Sequence, residues 1–279
     1  MPTAAIVTNI HKDPERVITK KVAQILQQKY EIIYDKDYSE NNIHTMYQNA
    51  DVIVILGGDG TLLASARYAS LYATPILGIN LGNLGFMADV ELTDLEKALD
   101  AFMQGEYTID NRFMIDATIK KATGATEKIS ALNDVVVTRA SYQRMVAFDV
   151  SVNGDHLASY QGDGLVVSTP TGSTAYSMSA GGPIVDPLLD VCVITPVCPH
   201  TMSSKPVIVP GNAKIEIKFK STFDDMAMVT ADSQAGIRLN EGDIITIKGS
   251  EKTTGLIKLC NKSFYDILNR KLQPSQDCR

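Results

Sequence analysis

Asp51-Val52-Ile53-Val54-Ile55-Leu56-Gly57-Gly58-Asp59-Gly60-Thr61-Leu62 is an unbroken apolar run that ends abruptly in glycines. A short apolar stretch bounded by turn residues suits a strand buried on both faces of a parallel sheet. Pro75 to Asn80 repeats the pattern and breaks into Gly82-Asn83-Leu84-Gly85, and Thr3 to Asn9 is a third such run. Between these strands lie helical patterns. Asp13-Pro14 offers a cap with proline at the first helical position, and Ile18, Val22, Ile25 and Leu26 share one helix face. Further helices are expected from Leu62 to about Ser70 and near Thr93 to Met103. Strand, turn, helix, strand in this order predicts an α/β domain with a parallel, Rossmann-like sheet and right-handed crossovers.

Beyond residue 104 the period changes. Ile215, Ile217 and Phe219 alternate with Lys214, Glu216 and Lys218, a strand with one wet face. Asn153-Gly154 between two β-rich runs reads as a tight hairpin turn. Short strands are expected at Asp116 to Lys120, Asp134 to Thr138 and Ile244 to Lys248, and a helix at about Ser263 to Lys271. The expected division is an α/β domain of residues 1–104 and 255–279, and a β-rich, mostly antiparallel C-terminal domain of residues 105–254.

The 279 residues are 44% apolar, enough to bury a core in each of two domains. The net charge of −6, with Lys and Arg scattered, lacks the footprint of a nucleic-acid-binding protein. Met1 to Val7 runs straight into a strand without the layout of a signal peptide, and no apolar stretch approaches the ~20 residues of a membrane span. A cytoplasmic protein with no membrane or nucleic-acid partner is expected. Cys192, Cys198, Cys260 and Cys278 show no metal-ligand spacing and read as reduced thiols. His11, His44, His156 and His200 are isolated, and Asp224-Asp225 reads as a solvated loop pair; no metal-ligating residue is expected.

Four stretches carry chemistry. At Gly57-Gly58-Asp59-Gly60-Thr61, glycines let the backbone approach a ligand, and the following helix presents unpaired N–H groups to an anion. A carboxylate repels phosphate, so Asp59 makes more sense facing a hydroxyl whose proton it takes. Ser168-Thr169-Pro170-Thr171-Gly172-Ser173-Thr174-Ala175-Tyr176-Ser177 places six Ser or Thr hydroxyls at a turn into a short helix, more than one cap requires. Asn133-Asp134 at a strand start and Ala231-Asp232-Ser233-Gln234 are each compatible with simple turns.

Together these stretches, with Asn80 to Phe86, Gly162 to Pro187, Pro199-His200-Thr201 and Lys205-Pro206-Val207, resemble the NAD kinase family in order and spacing over most of the chain. Gly-Gly-Asp-Gly is shared with phosphofructokinases and lipid kinases; the Ser168 to Ser177 segment is the specific one. The resemblance implies a phosphotransferase that moves the terminal phosphate of ATP, or of another donor such as polyphosphate, to the 2′-hydroxyl of the adenosine ribose of NAD. It implies Asp59 as general base, Gly60 touching NAD, and Gly57, Gly58, Gly60 and Thr61 at the donor phosphates, with Mg²⁺ arriving with ATP. Asn133 and Asp134 match an Asn-acid pair that contacts NAD, often with Glu at the second position. Asp163, Thr174, Ala175, Tyr176, Ser177, Met178, Ser179, Gln234 and Arg144 match further NAD contacts. Gln161 stands where a basic residue is frequent. A homodimer or homotetramer is implied. The rivals are a diacylglycerol- or sphingosine-type lipid kinase and a non-catalytic NAD sensor.

Overall fold

The computed structural model describes residues 1–37, 42–82, 85–140, 145–200, 204–220, 227–234, 236–259 and 262–272. The chain forms two compact units, Met1–Arg112 with Lys252–Arg279, and Phe113–Glu251. The boundaries expected at 104 and 254 fall instead at 112 and 251. Each lies inside a long strand, so no change of composition marks it.

The first unit opens with β1 (Thr3–Thr8), α1 (Val17–Leu26), β2 (Glu31–Tyr34), α2 (Ile43–Asn49), β3 (Val52–Gly57), α3 (Asp59–Tyr72), β4 (Ile76–Asn80), β5 (Val90–Glu91) and α4 (Leu95–Gln104). Its strands run parallel in the order β4-β3-β1-β2, with β5 beside the end of β4. Every residue of β3 and β4 is buried, as uninterrupted apolar runs require. Val22, Ala23 and Leu26 of α1 and Leu95, Leu99 and Phe102 of α4 pack with Ile6, Val54 and Leu77 in the core of this unit.

Two helix starts differ from expectation. α1 begins at Val17, with Arg16 left-handed at φ 53°. The Asp13 carboxylate reaches forward to accept the N–H groups of Ile18 (3.3 Å) and Thr19 (2.9 Å), so it caps from outside a turn that already contains Pro14. α3 starts at Asp59, three residues ahead of Leu62, because the chain turns directly from strand to helix at Gly58.

The second unit takes most of β6 (Thr108–Lys120), then β7 (Thr126–Ala131), β8 (Asp134–Arg139), β9 (Val146–Val152), β10 (Asp155–Gly162), β11 (Gly164–Ser168), the single turn α5 (Tyr176–Ser179), β12 (Val191–Val197), β13 (Val207–Pro210), β14 (Ile215–Lys220), β15 (Ala227–Ala231), β16 (Ile237–Leu239) and the first half of β17 (Ile244–Lys258). One sheet has the order β13-β12-β11-β8-β15-β16 and is antiparallel among the described residues. Antiparallel β10, β9, β14 and β17 supply a second face. Val135, Val137, Leu165 and Val167 from the first group meet Phe148, Val150, Ile215 and Ile217 from the second in one core. Asn153 (φ 54°) and Gly154 (φ 94°) make the left-handed pair of a two-residue hairpin between β9 and β10.

The last residues of β17 and the helix α6 (Phe264–Leu272) belong to the first unit. Leu256 pairs parallel with Ile76 of β4. Ser263 and Asp266 form a reciprocal cap: the Ser263 N–H donates to Asp266 Oδ2 (2.9 Å), and the Asp266 N–H donates to Ser263 Oγ (3.1 Å).

Candidate active site

In the first unit, Gly57 to Thr61 join β3 to α3 at the C-terminal edge of the parallel sheet, where open α/β sheets bind ligands. Asp59 is the first residue of α3, and its negative charge favours a helix N-terminus. Its carboxylate does not hang bare at the loop tip. Oδ2 accepts the N–H of Phe86 (2.8 Å), and Oδ1 accepts those of Met87 (3.1 Å) and Ala88 (3.4 Å). The acid among the glycines therefore ties the β3–α3 turn to the chain that follows β4. A carboxylate offers about four lone-pair positions, and three are occupied here. A side chain at Gly85 would overlap the Asp59 carboxylate, so glycine is required there for space.

A cavity of about 560 Å³ opens beside this turn, lined by Gly58, Asp59, Gly60, Thr61, Gly85, Asn9, Lys12 and Lys271. The last three are absent from the motif reading. Asn9 follows β1 and donates from Nδ2 to Thr61 Oγ1 (3.1 Å), which joins the ends of two neighbouring strands. A methyl group added to Gly58 or Gly82 would sit 3.2 or 2.9 Å from Lys12 Nζ. These glycines make room for an ammonium group. Among the described residues no cluster of three His, Cys, Asp or Glu forms a metal site.

The second unit carries a polar cluster at the start of β8. Asp232, left-handed at φ 50°, accepts the N–H groups of Leu132 (2.8 Å), Asn133 (2.8 Å) and Asp134 (3.1 Å). Burial, together with the negative charge of Asp232, pushes the Asp134 carboxyl up to about 7. Ser168 of β11 lies opposite Asp134 in register. The buried atoms Asn133 Oδ1 and Ser168 Oγ have no hydrogen-bond partner among the described residues. Such orphaned atoms are rare in a finished interior and fit a polar ligand.

The hydroxyl-rich segment is bonded largely within itself. Thr169 Oγ1 donates to Leu132 O (2.5 Å) and accepts the Gly172 N–H (3.1 Å). Ser173 Oγ donates to Pro170 O (2.6 Å) and accepts the Val185 N–H (2.9 Å). Thr174 Oγ1 donates to Thr171 O (3.3 Å), and Ser177 Oγ lies 3.0 Å from Thr195 Oγ1 in a fully buried position. Four of the six hydroxyls thus hold the turn itself. What the segment offers outward is Ala175, Met178 and the more exposed Tyr176 and Ser179. The Gly172 backbone passes so close to the Asn133 backbone that any side chain would collide with it, which packs this turn against the Asn-Asp pair.

Asp163 is paired: its Oδ1 lies 3.1 Å from Arg139 Nε. Partial burial, then Cys198 and the charges of Asp163 and Asp134, hold the Tyr176 hydroxyl above its usual range. Gln161 is exposed at the end of β10, and its carbonyl accepts the His200 N–H (2.8 Å). Gln234 is half-buried beside Asp232 in sequence, with its N–H on Ala231 O (3.0 Å). Arg144, Asn83, Leu84, Thr201, Asp224, Asp225, Cys260 and Cys278 lie outside the described residues.

Residues 5–107 match the family model of the ATP-NAD kinase N-terminal domain, and residues 132–259 match that of the ATP-NAD kinase C-terminal domain. An NAD kinase of Natranaerobius thermophilus is 39% identical over 286 residues, covering 99% of this chain and 100% of the relative. An NAD kinase of a Thermoanaerobacter species is 39% identical over 282 residues, covering 98% and 99%. Among solved structures, an NAD kinase from Archaeoglobus fulgidus in complex with ATP superposes with a TM-score of 0.77 at 26% identity, covering 96% of this chain and 98% of that one. A yeast NADH kinase complexed with NADH shares the fold, with a TM-score of 0.87 at 22% identity over 100% of this chain and 89% of that one. The chain belongs to the NAD kinase family and transfers phosphate to NAD to form NADP.

Proposed function

We propose that the phosphate goes from ATP to the 2′-hydroxyl of the adenosine ribose of NAD, with Asp59 as general base. The observation that carries this reading is the fixed position of the Asp59 carboxylate. Three backbone N–H groups hold it at the mouth of a cavity lined by glycines and lysines, with capacity for one more hydrogen bond. A ribose hydroxyl fills that capacity. As the hydroxyl oxygen forms its bond to the terminal phosphorus, its proton passes to Asp59, and the bond from phosphorus to the bridging oxygen breaks to release ADP. Bound Mg²⁺ supplies charge neutralisation on the phosphates. Glycines 57, 58 and 60 and the N-terminus of α3 receive the donor phosphates, and phosphoryl transfer of this kind depends on positioning and electrostatics more than on covalent help.

The dinucleotide's polar edges are met by the orphaned Asn133 Oδ1, by Asp134, Asp163 and Tyr176, and by Ala175, Met178, Ser179 and Gln234, with Arg144 as a further candidate. The Ser177 side chain is directed inward, so any contact there is through backbone. We further propose a homodimer or homotetramer, which rests on family resemblance and which sedimentation equilibrium tests, in the cytoplasm, which rests on the composition and which cell fractionation tests.

Asp59→Asn is the decisive variant. Loss of a general base lowers turnover by about 10²–10⁴-fold, with NAD affinity changed only a few-fold. Near-normal turnover overturns the role of Asp59. A second test uses 2′-deoxy-NAD, which gives no phosphorylated product and competes poorly with NAD; a site built to hydrogen-bond a hydroxyl rejects analogues lacking it by up to ~10⁴-fold.

A further inference from the structure

We infer that Lys12 and Lys271, from opposite ends of the chain, form a cationic clamp on the phosphates of the donor; the inference rests on the reading that the donor occupies the cavity beside Gly57 to Thr61. Both lysines line that cavity. Lys12 Nζ is cradled by Gly58 and Gly82, at the turns that leave β3 and β4, where any side chain would displace it. It therefore stands beside the N–H groups that open α3, and the two kinds of positive charge reinforce each other. The one acid lining the cavity, Asp59, is engaged by the N–H groups of Phe86 to Ala88. Among the described residues, neither Lys12 nor Lys271 has a carboxylate partner. Two cations lining a cavity of three glycines, Asn9, Thr61 and one acid already engaged by backbone N–H groups select a polyanion.

Lys271 reaches the cavity because α6 is seated firmly. The cap at Ser263 fixes its start. Glu91 of β5 holds Lys262 Nζ at 2.7 Å and Arg270 Nη1 at 3.7 Å. Phe264 packs on Phe86 with ring centroids 6.2 Å apart, and Lys271 Nζ lies 4.5 Å from the centre of the same Phe86 ring. The residue whose N–H grips Asp59 thus also carries the lysine on its aromatic face. A lysine stem that stays in place without a salt bridge leaves its ammonium available to the donor.

The test measures steady-state kinetics for Lys12→Ala and Lys271→Ala against ATP and against NAD separately. Both side chains are exposed, so folding is preserved. Loss of one charge-assisted phosphate contact raises the KM for ATP about tenfold, with KM for NAD within about twofold, and Lys→Arg at either position restores most of the loss. Inorganic tripolyphosphate competes with ATP in the unaltered protein and less well in each alanine variant, because the clamp reads phosphates rather than the base. Unchanged KM for ATP in both variants, or a rise confined to the KM for NAD, overturns the clamp. ATP binding by calorimetry without NAD reads the same contacts. Weaker ATP binding by the variants upholds the clamp even if Asp59→Asn retains full turnover, whereas equal ATP binding overturns it whatever the chemistry of Asp59.

Discussion

Asp232 Oδ1 accepts the backbone N–H of Asn133 at 2.8 Å across 99 positions of sequence. Its second oxygen holds Leu132, and the same Oδ1 also takes Asp134, so one buried side chain sets the path of the chain into β8. Asp59 does the same in the first unit for Phe86, Met87 and Ala88. Each unit thus uses an aspartate as a knot for three consecutive N–H groups.

Asp232→Asn replaces one accepting oxygen with an NH₂ group that faces an N–H donor. Hydrogen bonds to charged groups contribute about 1.5–3 kcal/mol each. The variant therefore loses about 2–3 kcal/mol of stability in urea unfolding. As Asn133 shifts, KM for NAD rises by tenfold or more with a smaller change in turnover. A variant with unchanged KM for NAD would show that the path of Asn133 is set by something else.

Asp134 gives a pH signature. Its carboxyl lies near 3.8 in the unfolded chain and is raised to about 7 in the folded protein. Between those values the folded state holds a proton that the unfolded state has released. The contribution of this group to stability is therefore largest below about pH 4, declines as pH rises through about 7, and is level above it. Groups held low, such as Glu91 beside Lys262, act in the opposite sense, so the difference between proteins is the useful quantity. Asp134→Asn cannot titrate, and its unfolding free energy should gain on that of the unaltered protein as pH rises from 4 to 7. A constant difference across that window would refute the raised carboxyl.

Gly85→Ala drives a methyl group into the Asp59 carboxylate. The added methyl acts through space at the carboxylate. Displacing the carboxylate from its three N–H donors lowers kcat by about tenfold or more, within the range a positioned base contributes, while NAD binding changes less. Calorimetric NAD titration beside kcat separates the two.

Cys192 and Cys198 should part company toward thiol reagents. Cys192 is fully buried, and burial pushes its thiol up to about 12, whereas Cys198 is exposed. Thiolate is the reactive form. Iodoacetamide at pH 8 followed by peptide mass mapping should find Cys198 alkylated and Cys192 intact until the protein is unfolded.

The strands β1, β3 and β4 and the hairpin at Asn153-Gly154 were legible because each is encoded by neighbours in sequence: an apolar run, or a residue pair that tolerates positive φ. β2 and α2 escaped notice. Their burial is partial, with only Met46 and Tyr47 buried among them, so the apolar period is weak. The Gly-Gly-Asp-Gly-Thr stretch was legible as a strand-to-helix turn, but the partners of its acid were not, since Phe86 to Ala88 carry no polar side chain to betray a role played by their backbone. Hydroxyl content is ambiguous for the complementary reason. Composition counts Thr169, Ser173 and Ser177 but cannot tell a hydroxyl that closes its own turn from one offered to a ligand. Lys12 and Lys271 sit in no motif, and only folding brings them to one cavity.

Closing the first unit with its own C-terminal segment has a consequence for biosynthesis. Asp89 bonds the N–H of Leu259, 170 residues downstream, and Phe86 waits for Phe264. While the ribosome is still making the intervening β-rich unit, the early α/β segment stands with one flank of its sheet uncovered and the cavity beside Asp59 without Lys271. Such long-range closure is slow and leaves apolar surface open to aggregation. A polypeptide interrupted before residue 264 therefore accumulates as an unfinished half, bearing the glycine turn and Asp59 without the tail that steadies them.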